Sequence, residues 1–296
     1  MKGARRKGEW WEVLLSAEKK AEQDPGQLLE QLSRQAAVSR KWLSGLWHSG
    51  GIRLQGNRLL LKLFPEETLP FAPDFTMIDV LYEDDFCLVA AKPAGMKVHP
   101  TFEGEKGTLL QAVAGHLQAA GEAARPRHIH RLDEQTTGPV LFAKCNWAQQ
   151  ALDAAMREKR VERLYAALVQ GRLAKREGTI DAPIGRDRHH PSRRRVSPGG
   201  SPAVTRFAVA ELLPSASLVR LRLETGRTHQ IRVHMSYAGH PLLGDALYGG
   251  RDAGMGRQAL HGERLVFPHP WTGEIVETEA DWPDDFRSLY ERLKNS

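Results

Sequence analysis

The sequence predicts an α+β protein: a mixed, largely antiparallel sheet flanked by helices, with a small α/β module in front. Three observations predict it. Strand-like and helix-like segments follow one another without a βαβα rhythm. Residues 218–224 alternate, with Val219, Leu221 and Leu223 on one face and Arg220, Arg222 and Glu224 on the other. The chain has 296 residues, 41% of them hydrophobic, which suffices for one sizeable core and a small second unit.

Residues 1–24 read as an N-terminal extension, 25–69 as a module, 70–77 as a linker punctuated by Pro70 and Pro73, and 78–296 as the main domain. In the module, Leu28, Leu29 and Leu32 recur at helical spacing. Ser39 is placed to cap a second helix through Leu43, Leu46 and Trp47, which Gly50 and Gly51 stop. Residues 52–54 and 58–63, joined through Gln55-Gly56-Asn57, read as a hairpin. In the main domain, residues 78–82, 86–91, 141–143 and 164–169 read as strands. Residues 108–117 read as a helix, Asn146 is expected to cap another running to about Lys159, and Thr228 to cap a third that Gly239 ends.

The formal charge is +6 and the sequence pI about 9.4, which suits a polyanionic partner. The charge is concentrated. Between Gly185 and Arg206 lie six arginines (186, 188, 193, 194, 195 and 206) and one acid, Asp187, in what reads as a long basic loop. The alternative is a solvated linker. Two cysteines, Cys87 and Cys145, form neither a disulfide framework nor a C-x-x-C metal pair. Residues 10–15 are apolar but hold Glu12 and run on to Glu18-Lys19-Lys20, which is no signal peptide. No apolar run has the length of a membrane span. A soluble, cytoplasmic protein is expected.

Two segments carry chemistry. His130-Arg131-Leu132-Asp133-Glu134-Gln135-Thr136-Thr137-Gly138 sets one carboxylate in a turn, where it can serve as nucleophile or base, or simply pair with a surface cation. Thr225-Gly226-Arg227-Thr228-His229-Gln230-Ile231-Arg232-Val233-His234 leads a strand into a helix start rich in cations, a setting that attracts carboxylates and phosphates. Histidines five apart do not share a helix face, so a metal site is not expected there.

Together these segments resemble the RluA family of pseudouridine synthases. The first matches its catalytic motif and the second its later arginine motif. Arg163-Leu164-Tyr165-Ala166 matches its tyrosine strand, and Tyr82-Glu83-Asp84-Asp85, Lys92-Pro93-Ala94-Gly95, His99-Pro100, Gly239-His240-Pro241 and Gly244-Asp245 through Leu247-Tyr248-Gly249 also match the family. The resemblance runs from about residue 78 to the C-terminus. Thr137 stands where serine is usual, and Pro139 where an aliphatic residue is common. Ser39-Arg40, Gly50-Gly51-Ile52 and Asn57 resemble the alpha-L RNA-binding motif that often precedes this domain.

The resemblance implies the pseudouridine synthase fold and the isomerisation of uridine to pseudouridine in ribosomal or transfer RNA, with no cofactor and no metal, by a monomer. It implies that Asp133 starts glycosidic cleavage, by covalent attack or through an elimination intermediate. Arg232 would pair with Asp133 through its planar fork, Tyr165 lie against the base, and Ile231 form an apolar wall. Arg131 would enter the gap left by the flipped base. Arg227, the loop residues Arg193, Arg194 and Arg195, and Arg40 in the module would meet RNA. Three rivals remain: a non-catalytic RNA binder, a metal-dependent phosphodiesterase and a structural basic protein. The first would lack Asp133, Tyr165 or Arg232; the second needs clustered Asp and His ligands; the third leaves the ordered motifs unexplained.

Overall fold

The computed structural model describes residues 4–15 and 25–296. It opens with two strands, β1 (Arg5–Lys7) and β2 (Trp10–Leu14). Helices α1 (Pro25–Ala36) and α2 (Arg40–His48) follow, then the hairpin of β3 (Ile52–Gln55) and β4 (Arg58–Lys62). Ser39 caps α2 by accepting the Trp42 amide at 3.4 Å. The antiparallel sheet runs β1-β2-β4-β3.

The sequence reading set residues 1–24 apart; strands β1 and β2 instead join the hairpin's sheet, while residues 1–3 and 16–24 lie outside the described chain. Glu12 hid the strand by interrupting its apolar run. In the fold Glu12 is 2% exposed and ringed by Lys7 at 2.8 Å, Arg58 at 2.9 Å and Arg5 at 3.2 Å, cations on both neighbouring strands. A buried carboxylate is tolerated when it is paired in this way. Trp11, on the opposite face, packs edge-on to Phe86 at 4.8 Å and to Trp271 at 5.4 Å. One hydrophobic core therefore runs from Leu28, Leu43 and Leu61 of the module to Val89, Leu141 and Trp147 of the main domain.

The main domain has two sheets. The first contains β5 (Asp79–Glu83), β6 (Cys87–Lys92), β7 (Arg127–His128) and β8 (Gly138–Ala143), in the order β5-β6-β8-β7. The second contains β9 (Glu162–Gln170), β10 (Glu177–Asp181), β13 (Val204–Leu212), β14 (Ala216–Leu223), β15 (Leu260–Pro268) and β16 (Ile275–Glu279), in the order β10-β13-β14-β9-β15-β16. Helices α3 (Leu109–Ala119), α4 (Asn146–Arg157), α5 (Gln230–Tyr237) and α6 (Asp284–Lys294) pack around them. Asn146 does not cap α4: it is already the helix's first residue, and the extended backbone of Cys145 takes the cap position. Among the described residues no helix is long and apolar enough to cross a membrane.

All the ladders are antiparallel. The sheets meet at a parallel bridge between Thr137 and His261. Gly138 makes that approach possible: a Cβ there would sit 2.4 Å from the Gly262 carbonyl oxygen, and its φ of +129° suits glycine alone. Asp133 stands just before this seam. The basic segment is not one open loop. It folds as a small hairpin of β11 (Ile184–Arg186) and β12 (Arg194–Val196), pinned where Arg193 Nε donates to Asp187 at 2.7 Å in an ion pair.

Candidate active site

A cleft of about 360 Å³ opens between the two sheets. Asp133, Tyr165, Ile231, Arg232, Arg131 and Arg227 all line it, so six of the residues expected from the sequence come together. Tyr165 projects from β9 and is 5% exposed; burial raises the pKa of its phenol. Ile231 is buried at the start of α5. Arg131 and Arg227 are exposed, the first donating to the Thr228 hydroxyl at 2.9 Å and the second to the Pro202 carbonyl at 3.0 Å.

The geometry departs from two expectations. Thr228 does not cap α5. The cap position is His229, held in the left-handed region at φ +58°, because the chain must reverse sharply to present both His229 and Arg232 to the cleft. Gln230 organises that turn, accepting from the Arg227 amide at 3.0 Å and the Thr225 hydroxyl at 2.7 Å. The fork of Arg232 does not close on Asp133. It grips Asp245, at 2.7 and 2.9 Å, and gives Asp133 a single bond of 3.2 Å. Asp245 is the more buried acid, its side chain 1% exposed against 21% for Asp133, so it demands the fuller compensation. Burial opposes the charge of Arg232, but Asp245 outweighs it and the pKa goes up.

A second arrangement adjoins the first. The Arg194 amide of the basic hairpin donates to the Tyr248 phenol oxygen at 2.9 Å. The phenol is 2.8 Å from His229 Nδ1, and the guanidinium of Arg232 lies over the Tyr248 ring at 5.0 Å. Tyr248 and His229 Nδ1 share one hydrogen, and the other ring nitrogen, Nε2, faces Asp133 across 4.0 Å. Burial lowers the pKa of His229, and Asp133 only partly offsets this. His234 points elsewhere; fully buried, it ties the Thr205 hydroxyl to the Ala182 carbonyl.

Under the loop, the Lys92 ammonium donates to the carbonyls of Pro93, Met96 and Glu134 at 2.8, 2.7 and 2.7 Å. Burial pushes its pKa down to about 7, with Asp133 pulling the other way. Three acceptors use all three hydrogens of the charged form, and one of them lies next to Asp133 in the chain.

A family model for RNA pseudouridylate synthase matches residues 86–237, which holds both chemical segments and the tyrosine strand. The chain belongs to the RNA pseudouridylate synthase family. The uncharacterized RNA pseudouridine synthase YhcT of Bacillus subtilis (strain 168) is 46% identical over 237 residues, 79% of this chain and 78% of that protein. Ribosomal large subunit pseudouridine synthase D of Vibrio vulnificus (strain CMCP6) is 46% identical over 231 residues, covering 73% and 71%. Among solved structures, human RNA Pseudouridylate Synthase Domain Containing 1 is similar at a TM-score of 0.61 and 26% identity, over 74% of this chain and 90% of that one. The protein is thus an RNA pseudouridine synthase, an isomerase that acts on uridine in RNA.

In this pseudouridine synthase the remaining expected residues lie outside the cleft. Arg193, Arg194 and Arg195 line a second groove of about 620 Å³, between the basic hairpin and Tyr237 of α5, with Tyr248 shared near both. Arg40 sits at the start of α2 and pairs with Glu30 at 3.1 Å. Among the described residues, Asp84, Cys87 and His269 also bring possible metal-ligand atoms together. Hydrogen bonding accounts for that grouping. His269 Nδ1 accepts the amides of Trp271 and Thr272, so its proton sits on Nε2 and is donated to Asp84 at 2.6 Å. Sequence reasoning missed the roles of Asp245 and Tyr248. Both stand in a short matched motif, but nothing in that motif signals that they turn back onto Arg232.

Proposed function

We propose that Asp133 is the catalytic carboxylate and that the cleft holds a uridine flipped out of its RNA. The observation that carries this reading is the single bond from a buried arginine to a part-exposed carboxylate, beside a buried tyrosine. A base inside a stack is out of reach, so the nucleotide must be extruded. Asp133 then acts at C1′ by attack or assists elimination. The C1′–N1 bond breaks and its electron pair stays on uracil. The ring turns and C5 supplies the pair for the new bond to C1′. The C5 hydrogen leaves as a proton and N1 takes one up, so the reaction is a net isomerisation.

Arg232 holds Asp133 in orientation, because its second carboxylate partner, Asp245, fixes the guanidinium in place. Tyr165 and Ile231 bracket the base. Arg131 is exposed at the cleft and enters the gap the base leaves. Arg227 and the groove of Arg193, Arg194 and Arg195 follow the phosphates, and the front module with Arg40 adds a second contact. The enzyme works as a monomer, without metal or cofactor. Its substrate is ribosomal RNA, which the similarity to a ribosomal large subunit synthase favours over transfer RNA. The test is pseudouridine mapping in a strain lacking the protein, complemented with wild type or Asp133→Asn. A ribosomal site lost in the deletion and restored only by wild type is expected. Restoration by Asp133→Asn would end the assignment of Asp133, and loss confined to transfer RNA would end that of the substrate.

A further inference from the structure

Arg163 lies two residues before Tyr165 on β9, so both side chains leave the same face of the sheet, and both line the cleft. Arg163 is 8% exposed. Its one hydrogen bond is long, 3.5 Å to the Thr225 carbonyl, and its Nε, fully buried, has no partner. No carboxylate pairs with it among the described residues, in contrast to Arg232 and the buried Arg257, which each hold an aspartate by two bonds. Gly226 makes room for it: a Cβ there would stand 3.0 Å from its Nη1, while the Gly226 backbone itself calls for no glycine. His130, also lining the cleft, adds a second orphan. Its Nε2 accepts the Leu141 amide at 3.3 Å, which leaves the proton on Nδ1, and that atom is buried without a partner. Burial, helped by Arg163, keeps His130 neutral, with its pKa pushed down to about 3.

Buried donors without acceptors weaken a fold. Their presence in the cleft points to an acceptor that arrives with the substrate. We propose that Arg163, with the Nδ1 hydrogen of His130 beside it, binds the uracil oxygens and stabilises the uracil anion formed when the glycosidic bond breaks. This rests on the reading of the cleft as the uridine site. The phosphates are the competing acceptor. They belong to the exposed strand of the RNA, however, where Arg131 and Arg227 already stand, whereas Arg163 shares the buried floor with Tyr165. At cleavage the C1′–N1 pair delocalises over N1, O2 and O4, so negative charge grows on the oxygens a guanidinium can reach. When C5 bonds to C1′ that charge is discharged, and Arg163 neither gains nor loses a proton.

The test uses Arg163→Met and Arg163→Lys in the full chain. Arg163→Met should melt at the wild-type temperature or above it, because a charge without a partner has left the interior. The salt slope of its RNA affinity should stay unchanged. Its single-turnover rate at saturating RNA should fall about 100-fold, the usual loss for one oxyanion donor. Arg163→Lys should recover part of that rate. A salt slope reduced by about one, with full rate at saturation, would assign Arg163 to phosphate and overturn the proposal. A lower melting temperature with normal rate would make Arg163 a structural residue and overturn the proposal as well. Full activity of Asp133→Asn, measured alongside, would instead mark failure of the underlying site assignment.

Discussion

Arg232→Ala should injure the fold more than Asp133→Asn does, although both remove a partner from the same ion pair. Removing Arg232 strands Asp245, whose side chain is 1% exposed, without a cation. Breaking a buried pair from one side costs about 3–5 kcal/mol. In a chain of this size each kcal/mol lowers the melting temperature by roughly 2–4 °C, so a fall of about 10 °C is expected. Asp133→Asn loses one 3.2 Å bond on a carboxylate in contact with solvent, and Arg232 keeps both bonds to Asp245. Its cost is about 1 kcal/mol, and melting should shift by no more than about 4 °C. The rates should order the other way: Asp133→Asn loses at least about 100-fold at saturating RNA, since the reacting group itself is gone. The double variant Arg232→Met with Asp245→Leu removes both buried charges and should regain most of the melting temperature without regaining activity. Thermal melting by circular dichroism and single-turnover pseudouridine formation on the same preparations decide the matter. If Arg232→Ala melts within about 2 °C of wild type, the claim that Asp245 depends on it is wrong.

Four further outcomes are expected. Replacing Arg193, Arg194 and Arg195 with Gln should weaken RNA binding at low salt and flatten the plot of log affinity against log salt, measured by fluorescence anisotropy; an unchanged slope would remove the hairpin from the interface. Tyr248→Phe keeps the ring over Arg232 but frees His229 Nδ1, so long-range proton–nitrogen spectra should show a changed tautomer balance at His229, with a rate loss of roughly tenfold; an unaltered histidine spectrum would refute the hydrogen bond between the Tyr248 phenol and Nδ1. A chain starting at Asp74 should be insoluble or show lost cooperativity in urea, because it uncovers Phe86, Trp147 and Trp271; a sharp wild-type transition would show that the module is separable. Burial favours the neutral form of Asp84, but His269 and the amides of Cys87 and Phe86 prevail and hold its pKa at about 2. The stability it contributes is therefore complete above the unfolded pKa of about 4 and drains away as pH falls toward 2. Urea midpoints of wild type and Asp84→Asn should converge across that window and differ above it; a constant difference from pH 2 to 7 would contradict the linkage.

The sequence was legible where function depends on local order. Asp133 sits in a turn between motif residues, Tyr165 on a strand with clear register, and Arg232 on a helix whose start is marked by Gly226. All three line one cleft, as the family resemblance implied. The errors share one cause, which is side-chain pairing that no local pattern announces. Glu12 made residues 10–15 look unfit for a strand because Arg58, which helps to neutralise it, is 46 positions away. Asp245 claimed the fork of Arg232 through a turn that no local pattern reports. The basic segment read as a loop because prolines and glycines crowd it, yet the ion pair of Asp187 with Arg193 closes a hairpin. The shared core of the module and the main domain was hidden in the same way: Trp11 meets Phe86 and Trp271, partners that no window of sequence contains.

The first strand has a consequence for how copies of the protein behave together. Strand β1 is the outer edge of its sheet, and an open edge is a template for a neighbour's strand. That edge is three residues long and each is a cation: Arg5, Arg6 and Lys7. Arg6 turns in to Asp85 and Glu122, but the side chains of Arg5 and Lys7 stay 63% and 51% exposed, so two such edges repel on approach, and neither is long enough to seat a full strand. The same charges that let Glu12 be buried therefore keep molecules from zipping edge to edge at high concentration. Exchanging Arg5 and Lys7 for threonine and valine removes both services at once, and growth of light scattering with protein concentration is the sign to look for.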